Sequence, residues 1–368
     1  MTKSDSQIYK GIAIILMLFH HLFNDFEEYA GFSVNYWPFT DQKVQLFAIL
    51  SKICVAIFVF ITGYGIAASF KKEFCTSSVP ASQASFRLSK PGLFSFIWKR
   101  WWRLMSNYWF IFVVVLMLQP LGRTVFDAYG SGAKQTAAYG IIDFFGFYDL
   151  FHTPTLNPTW WYVSFAVIIL ILTPLILCCI KKAGAIVIPA ACFLLLAAMP
   201  QQTSYFFYFF SLLMGIMAYE TGLLERIRKI RSRSLHVIIA VVSLAAVLVG
   251  MKMRLDFSLY GLTDAVIVLF GALAVMEIVS KIPLIRQILF CLGKYSMNMF
   301  FFHTMMYSYY FKAFYYNCGH WLLILALLTV TSFLASWCFE KIKQVTRYNL
   351  LMEQVGKRLC RRLTGMNG

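Results

Sequence analysis

The stretch IYKGIAIILMLFHHLFN, running from Ile8 to Asn24, places a cation near one end of an apolar run and two imidazoles near the other. As an α-helix rising about 1.5 Å per residue, it sets Lys10 and His21 roughly 16 Å apart along the axis, about half a bilayer core. An ionisable group held within hydrocarbon is costly, so it marks function by default. Lys10 and His21 are therefore the first candidate pair, and the rest of the chain is read outward from them.

The surroundings of this helix are those of a membrane protein. The 368 residues are 60% hydrophobic, 18% aromatic and only 13% charged, with a mean hydropathy of +0.68, which excludes a soluble globular domain. Apolar runs of about 20 residues recur, the length a helix needs to cross hydrocarbon, and period-two alternation of barrel strands is missing. A net charge of +17 in a soluble chain would point to nucleic acid. Here Lys and Arg concentrate between the apolar runs and in the tail, which is the positive-inside pattern, so membrane lipids and not nucleic acids are the expected partners. The nine Cys are scattered without metal or disulfide spacing, and no metal site is expected. The first helix starts within ten residues and lacks a following small-residue cleavage site, so it is read as retained.

Charge placement fixes an expected topology. Spans fall near 8–23, 46–70, 98–118, 159–180, 183–199, 204–221, 235–251, 259–279, 288–311 and 321–340, with a polar connector over 73–96. The stretch Thr136–Leu150 is apolar but short, and a crossing there would put Lys181, Lys182 and the Arg226–Arg233 cluster outside. It is read as a re-entrant or interfacial part of one large outer loop. The expectation is an all-α integral membrane protein of about ten transmembrane helices with both termini cytoplasmic. Residues 1–340 form the transmembrane domain, and 341–368 a basic tail able to lie as an amphipathic helix on an anionic leaflet. All but seven of the 33 Lys and Arg then face the cytoplasm.

Five motifs in order give the chain a resemblance. Lys10-Gly11-Ile12-Ala13 leads to His21; Thr62-Gly63-Tyr64 lies in the second span; Arg100 and Arg103 lie in the third; Asn157-Pro158-Thr159-Trp160-Trp161 opens the fourth; and Leu292-Gly293-Lys294-Tyr295-Ser296 precedes Phe302-His303. Together they resemble the membrane-bound acyltransferase 3 family, with Lys10 where the family usually carries Arg in its Arg-x10-His element. The resemblance implies a ten-helix bacterial cytoplasmic-membrane enzyme. Such enzymes move acetyl or another acyl group from cytoplasmic acetyl-CoA or its relatives to a hydroxyl of an envelope glycan or lipid-linked sugar outside. It also ties Arg100 and Arg103 to coenzyme A.

The residues themselves carry a consistent chemistry. Taking a proton from a sugar hydroxyl suits imidazole, whose pKa lies near working pH. Asp25 is four residues beyond His21, one helical turn above it, and is the expected partner for one ring nitrogen. Whether His21 acts as base or as an acyl carrier stays open. Arg100 and Arg103 are three apart on one helix face and, at the expected helix N-terminus, form a phosphate clamp, with Lys10 a further contact for the donor. Asn24, Asn157, Trp160 and Trp161 near the outer face, and Asp264 and His303 within the membrane, are the candidate acceptor contacts. A polysaccharide exporter or transporter is the competing reading; against it, the sequence has no internal repeat and no matched pair of interrupted helices.

Overall fold

The computed structural model describes residues 1–74, 89–184, 187–198, 204–257 and 260–365. Its helices are α1 (Lys3–Phe23), α2 (Asp41–Leu50), α3 (Ile53–Phe74), α4 (Lys90–Met117), α5 (Val125–Tyr129), α6 (Ala133–Phe144), α7 (Trp161–Ala183) and α8 (Val187–Ala198). They continue as α9 (Ser204–Glu220), α10 (Leu223–Arg228), α11 (Arg233–Phe257), α12 (Tyr260–Glu277), α13 (Pro283–Thr304), α14 (Lys312–Tyr316), α15 (Trp321–Val345) and α16 (Tyr348–Thr364). Among the described residues, β-structure is limited to one isolated bridge between Asn35 and His320.

A helix stands at each stretch expected to span, and six segments are long and apolar enough to cross a membrane: α1, the α2–α3 segment, α7, α11, α12 and α15. Two departures from expectation bear on the candidate site and its surroundings. A turn at Ser51–Lys52 splits the second span into α2 and α3, and ten-residue α2, roughly 15 Å long, is too short to cross. The third helix starts at Lys90 and not near 98, because Pro91 fits a first helical turn, where its missing N–H has no intrahelical partner to lose. The expected connector over 73–96 falls largely on 75–88, outside the described residues. Helix α6 has 12 residues, roughly 18 Å, so this element is too short to cross.

Residues 1–17, 50–89 and 171–294 form one compact unit. Here α3 packs on α9 and α12, and α11 on α12. Hydrophobic burial does not drive helices together in lipid, so close packing at small residues must do it. A Cβ on Gly63 would lie 2.6 Å from the Leu212 carbonyl oxygen, and one on Gly215 would overlap that of Phe60. Helices α1 and α13 meet in the same way, since a Cβ on Gly11 or Gly293 would overlap the carbonyl oxygen of Leu289 or Gln7. Three motif glycines are thus explained by backbone contact. Helix α11 turns Val237, Val241 and Leu248 outward, each 57–62% exposed, an apolar face of the kind that suits lipid. Multi-pass membrane insertion follows from such faces on several long helices.

Residues 18–49, 90–170 and 295–368 form the other unit. Helix α16 lies antiparallel along the first half of α4. The Trp98 indole N–H donates to the Gly356 carbonyl (2.9 Å), that of Trp102 to Met352 (2.6 Å), and the Tyr348 hydroxyl to Ser106 (2.7 Å). A Cβ on Gly356 would sit 2.5 Å from the Trp102 ring, so this glycine lets the helices approach. The segment after α4 is gathered by Asp143, fully buried in α6. Its carboxylate accepts from the hydroxyls of Tyr129 (2.7 Å), Thr155 (2.9 Å) and Tyr108 (3.1 Å) and from the Leu156 amide (2.8 Å). Burial still raises this carboxyl above its usual range, against the pull of those donors. Lys343 of α15 is also buried, with its ammonium on Glu340 (2.9 Å), Asn298 (3.2 Å) and Asn107, so the charge is satisfied from three helices.

Candidate active site

Three imidazoles converge within the second unit. His20 and His21 occupy the last turn of α1, and His303 lies at the end of α13. The His21 ring centroid is 5.1 Å from that of His303 and 5.1 Å from that of His20. His20 Nδ1 lies 2.8 Å from the Ala48 carbonyl oxygen, and His303 Nδ1 lies 2.8 Å from that of Phe300. A carbonyl only accepts, so Nδ1 carries the hydrogen in both rings. For His303 this leaves the Nε2 lone pair to accept from the Thr304 hydroxyl at 3.2 Å, and Thr304 in turn meets Thr159 at 3.2 Å. His303 is fully buried and His21 half-buried, so His21 is the more accessible of this pair.

The local backbone explains why His303 is held there. Helix α13 gives way at Met305–Tyr310 to a π-helical turn, a wider turn with i→i+5 bonding that is common at functional sites. One turn before the change, the Phe301 carbonyl accepts from the Trp160 indole (2.9 Å) and the Asn157 side-chain amide (3.4 Å). The π turn then presents two tyrosines. The Tyr307 ring stacks on His303 at 6.1 Å, and its hydroxyl donates to Glu28 at 3.3 Å. The Tyr309 hydroxyl accepts from Arg123 at 2.8 Å, and Arg123 also donates to the Leu156 carbonyl at 3.1 Å. Burial pushes the Glu28 carboxyl above its usual range, against the Tyr307 hydroxyl and the charge of Lys312.

The expected site residues divide. His21 and His303 come together. Asp25 does not stand one turn above His21, because α1 ends at Phe23 and the Asp25 carboxylate instead accepts from the Glu27 amide at 3.0 Å. Asn24 follows the end of α1 and is half-buried, and its carbonyl accepts from Gln45 at 3.3 Å. Asn157 and Trp160 are fully buried, and Asn157 Oδ1 also accepts from the Thr159 amide and hydroxyl at 3.0 and 2.7 Å. Their polar atoms therefore hold the backbone near His303 and are not presented to a ligand. Trp161 is half-buried, edge-on to Tyr162 and stacked on Phe165.

Asp264 belongs to the first unit, where it forms a buried ion pair with Arg254 at 2.9 Å; the contact lies off the N–H direction and makes no hydrogen bond. Lys10 lies on α1, half-buried. Arg100 folds back along α4, donating to the Phe96 carbonyl at 2.9 Å with its guanidinium over the Phe96 ring, while Arg103 is exposed. Because α4 begins at Lys90, both arginines stand ten or more residues inside it, and the expected help from a helix N-terminus is not there.

The profile of a family described as an acyltransferase domain matches residues 7–341. The chain belongs to the acyltransferase 3 family. It is an acyltransferase, and the match spans nearly the whole chain, from the first turns of α1 to α15. No curated protein and no solved structure matches the sequence.

The residues matched by the acyltransferase 3 family contain all five motifs, and the structure adds the neighbours that no motif marks. Glu28 and Arg123 sit in segments read from sequence as loop, and Tyr307 and Tyr309 lie in an aromatic run, MMYSYY, that looks like ordinary span. The only sequence signal for them is position. Glu28 follows the His-bearing helix by a few residues, and the tyrosines follow the Phe302-His303 element.

Proposed function

We propose that this acyltransferase 3 protein moves an acyl group, acetyl in the first instance, from cytoplasmic acetyl-CoA to a hydroxyl of an extracytoplasmic glycan or lipid-linked sugar. The observation that carries the reading is the approach of His21 to His303, a half-buried imidazole against a fully buried one whose tautomer is fixed by its carbonyl partner. His21 takes the hydroxyl proton while the hydroxyl oxygen attacks the thioester carbonyl. The C–S bond breaks, the ester forms, and the proton leaves with the thiol. Positioning falls to His303 and, through it, to Tyr307 and Glu28, in place of Asp25.

Arg100, Arg103 and Lys10 are the donor contacts on the strength of the family pattern. The count of ten spans, with both termini cytoplasmic in a bacterial cytoplasmic membrane, belongs to the same proposal and is supported by the charge asymmetry of the loops. The test is deletion of the gene followed by comparison of ester-linked acyl groups on each envelope glycan, with complementation by wild type and by His21→Ala. Loss of one ester that only the wild-type gene restores is the expected result. Full restoration by His21→Ala would overturn the mechanism.

A further inference from the structure

The first unit contains a cavity of about 460 Å³ that the proposed chemistry does not use. It lies where the start of α1, the end of α10, the start of α11 and the α12–α13 connection meet, and its charged lining is Asp5, Arg228, His236, Glu277, Lys281 and Arg286. The size suits the polar end of a small ligand.

The two carboxylates in this lining are already committed. Asp5 accepts from the Thr2 amide and hydroxyl, both at 2.7 Å, and from Arg228. Glu277, whose side chain is only 3% exposed, holds His236 at 2.9 Å and Lys281 at 2.8 Å. Three permanent cations therefore face two carboxylates, an excess of one positive charge, and of two when His236 is protonated. The excess resides on Arg286, which is exposed and has no ion-pair partner among the described residues. The hydroxyl of Ser4 completes the lining, while that of Ser280 is committed to the Met276 carbonyl at 2.8 Å. Such a cleft selects a compact anion with several acceptor oxygens, and a guanidinium beside an ammonium is the usual means of holding one.

We propose that this cleft binds a phosphate or diphosphate group, with Arg286 and Lys281 as its principal contacts. The group belongs either to the nucleotide end of the acyl donor or to a free phosphorylated metabolite. Only the first source rests on the acyl-transfer reading.

The experiment uses the full chain in detergent, with calorimetric titration of inorganic pyrophosphate and, separately, of coenzyme A. The proteins are wild type, Arg286→Ala, Arg286→Lys, Lys281→Ala and Lys252→Ala, with thermal unfolding checked for each. Arg286 is exposed, so its replacement leaves folding intact and keeps the test valid should Lys281→Ala disturb Glu277. The expected result is pyrophosphate affinity at least tenfold weaker in Arg286→Ala, largely kept in Arg286→Lys and unchanged in Lys252→Ala, an exposed cation away from the cleft. An equal loss for coenzyme A identifies the donor as the source, and coenzyme A binding that is untouched identifies a free metabolite. Wild-type protein that binds neither probe, or Arg286→Ala that binds pyrophosphate as wild type does, overturns the site. Wild type that binds pyrophosphate but not coenzyme A leaves the site standing and counts against the donor reading.

Discussion

Replacing His303 by Phe separates positioning from packing at the imidazole pair. Phe keeps a ring between His21 and Tyr307, whose centroids lie 5.1 and 6.1 Å from that of His303. It removes two polar contacts, the Nδ1–H donated to the Phe300 carbonyl and the Thr304 hydroxyl received at Nε2. At about 1 kcal/mol net per hydrogen bond, stability falls by roughly 2 kcal/mol. The Thr304 hydroxyl keeps its Thr159 partner, so a full penalty for an orphaned buried group is not added.

The kinetic consequence differs in size from that at His21. If His303 orients the neighbouring ring, its loss raises the barrier by about 1.4–2.7 kcal/mol, a 10- to 100-fold fall in kcat/KM. Removing His21 as base, in His21→Phe, costs about 10²- to 10⁴-fold. The double variant falls no further than His21→Phe, because both act through one imidazole. The assay is transfer of radiolabelled acetyl from acetyl-CoA to envelope glycan by protein reconstituted in vesicles, with apparent unfolding temperature followed in detergent. Wild-type transfer by His303→Phe at reduced stability would reduce His303 to packing, and strictly additive losses would mean that the two rings act separately.

Other expectations follow from the same contacts. Gly293→Ala drives a methyl into the Gln7 carbonyl, so it destabilises by about 1–3 kcal/mol, seen as a lower unfolding temperature; unchanged stability refutes the close crossing of α1 and α13. Trp102→Phe removes the indole bond to Met352 and costs about 1 kcal/mol, and protease cleavage within 347–365 should rise; unchanged cleavage shows that α16 is held by other means. Asp143 holds its proton more tightly in the fold than in the unfolded chain. Stability attributable to it therefore falls as pH rises from about the ordinary carboxyl value of 3.8 through the raised folded value, then levels off. Asp143→Asn should flatten that part of a pH–stability curve, and an unaltered slope would locate the titration elsewhere.

The all-helical character is legible in this chain because hydrocarbon imposes a length rule on each helix separately, and six segments are long and apolar enough to cross. What failed were relations that depend on where a helix stops. Asp25 stands above His21 only if α1 continues two residues past Phe23, but the helix ends there and the carboxylate turns to the Glu27 amide. The apolar pattern starts near Trp98 and so suggests a helix N-terminus for Arg100 and Arg103, although Pro91 marks a start about two turns earlier.

The glycines were legible as motif letters but not as contacts, since the Gly11 and Gly293 crossing needs two segments nearly 300 residues apart. The same applies to acids and aromatics around the imidazoles. A sequence shows Glu28 as one of several loop carboxylates, and only the π turn at Met305–Tyr310 brings the Tyr307 hydroxyl to it. Local rules thus single out His21 as the candidate base, and tertiary packing sets its neighbours. That division places the functional burden of the proposal on His21 and leaves its positioning to groups that no single-helix pattern encodes.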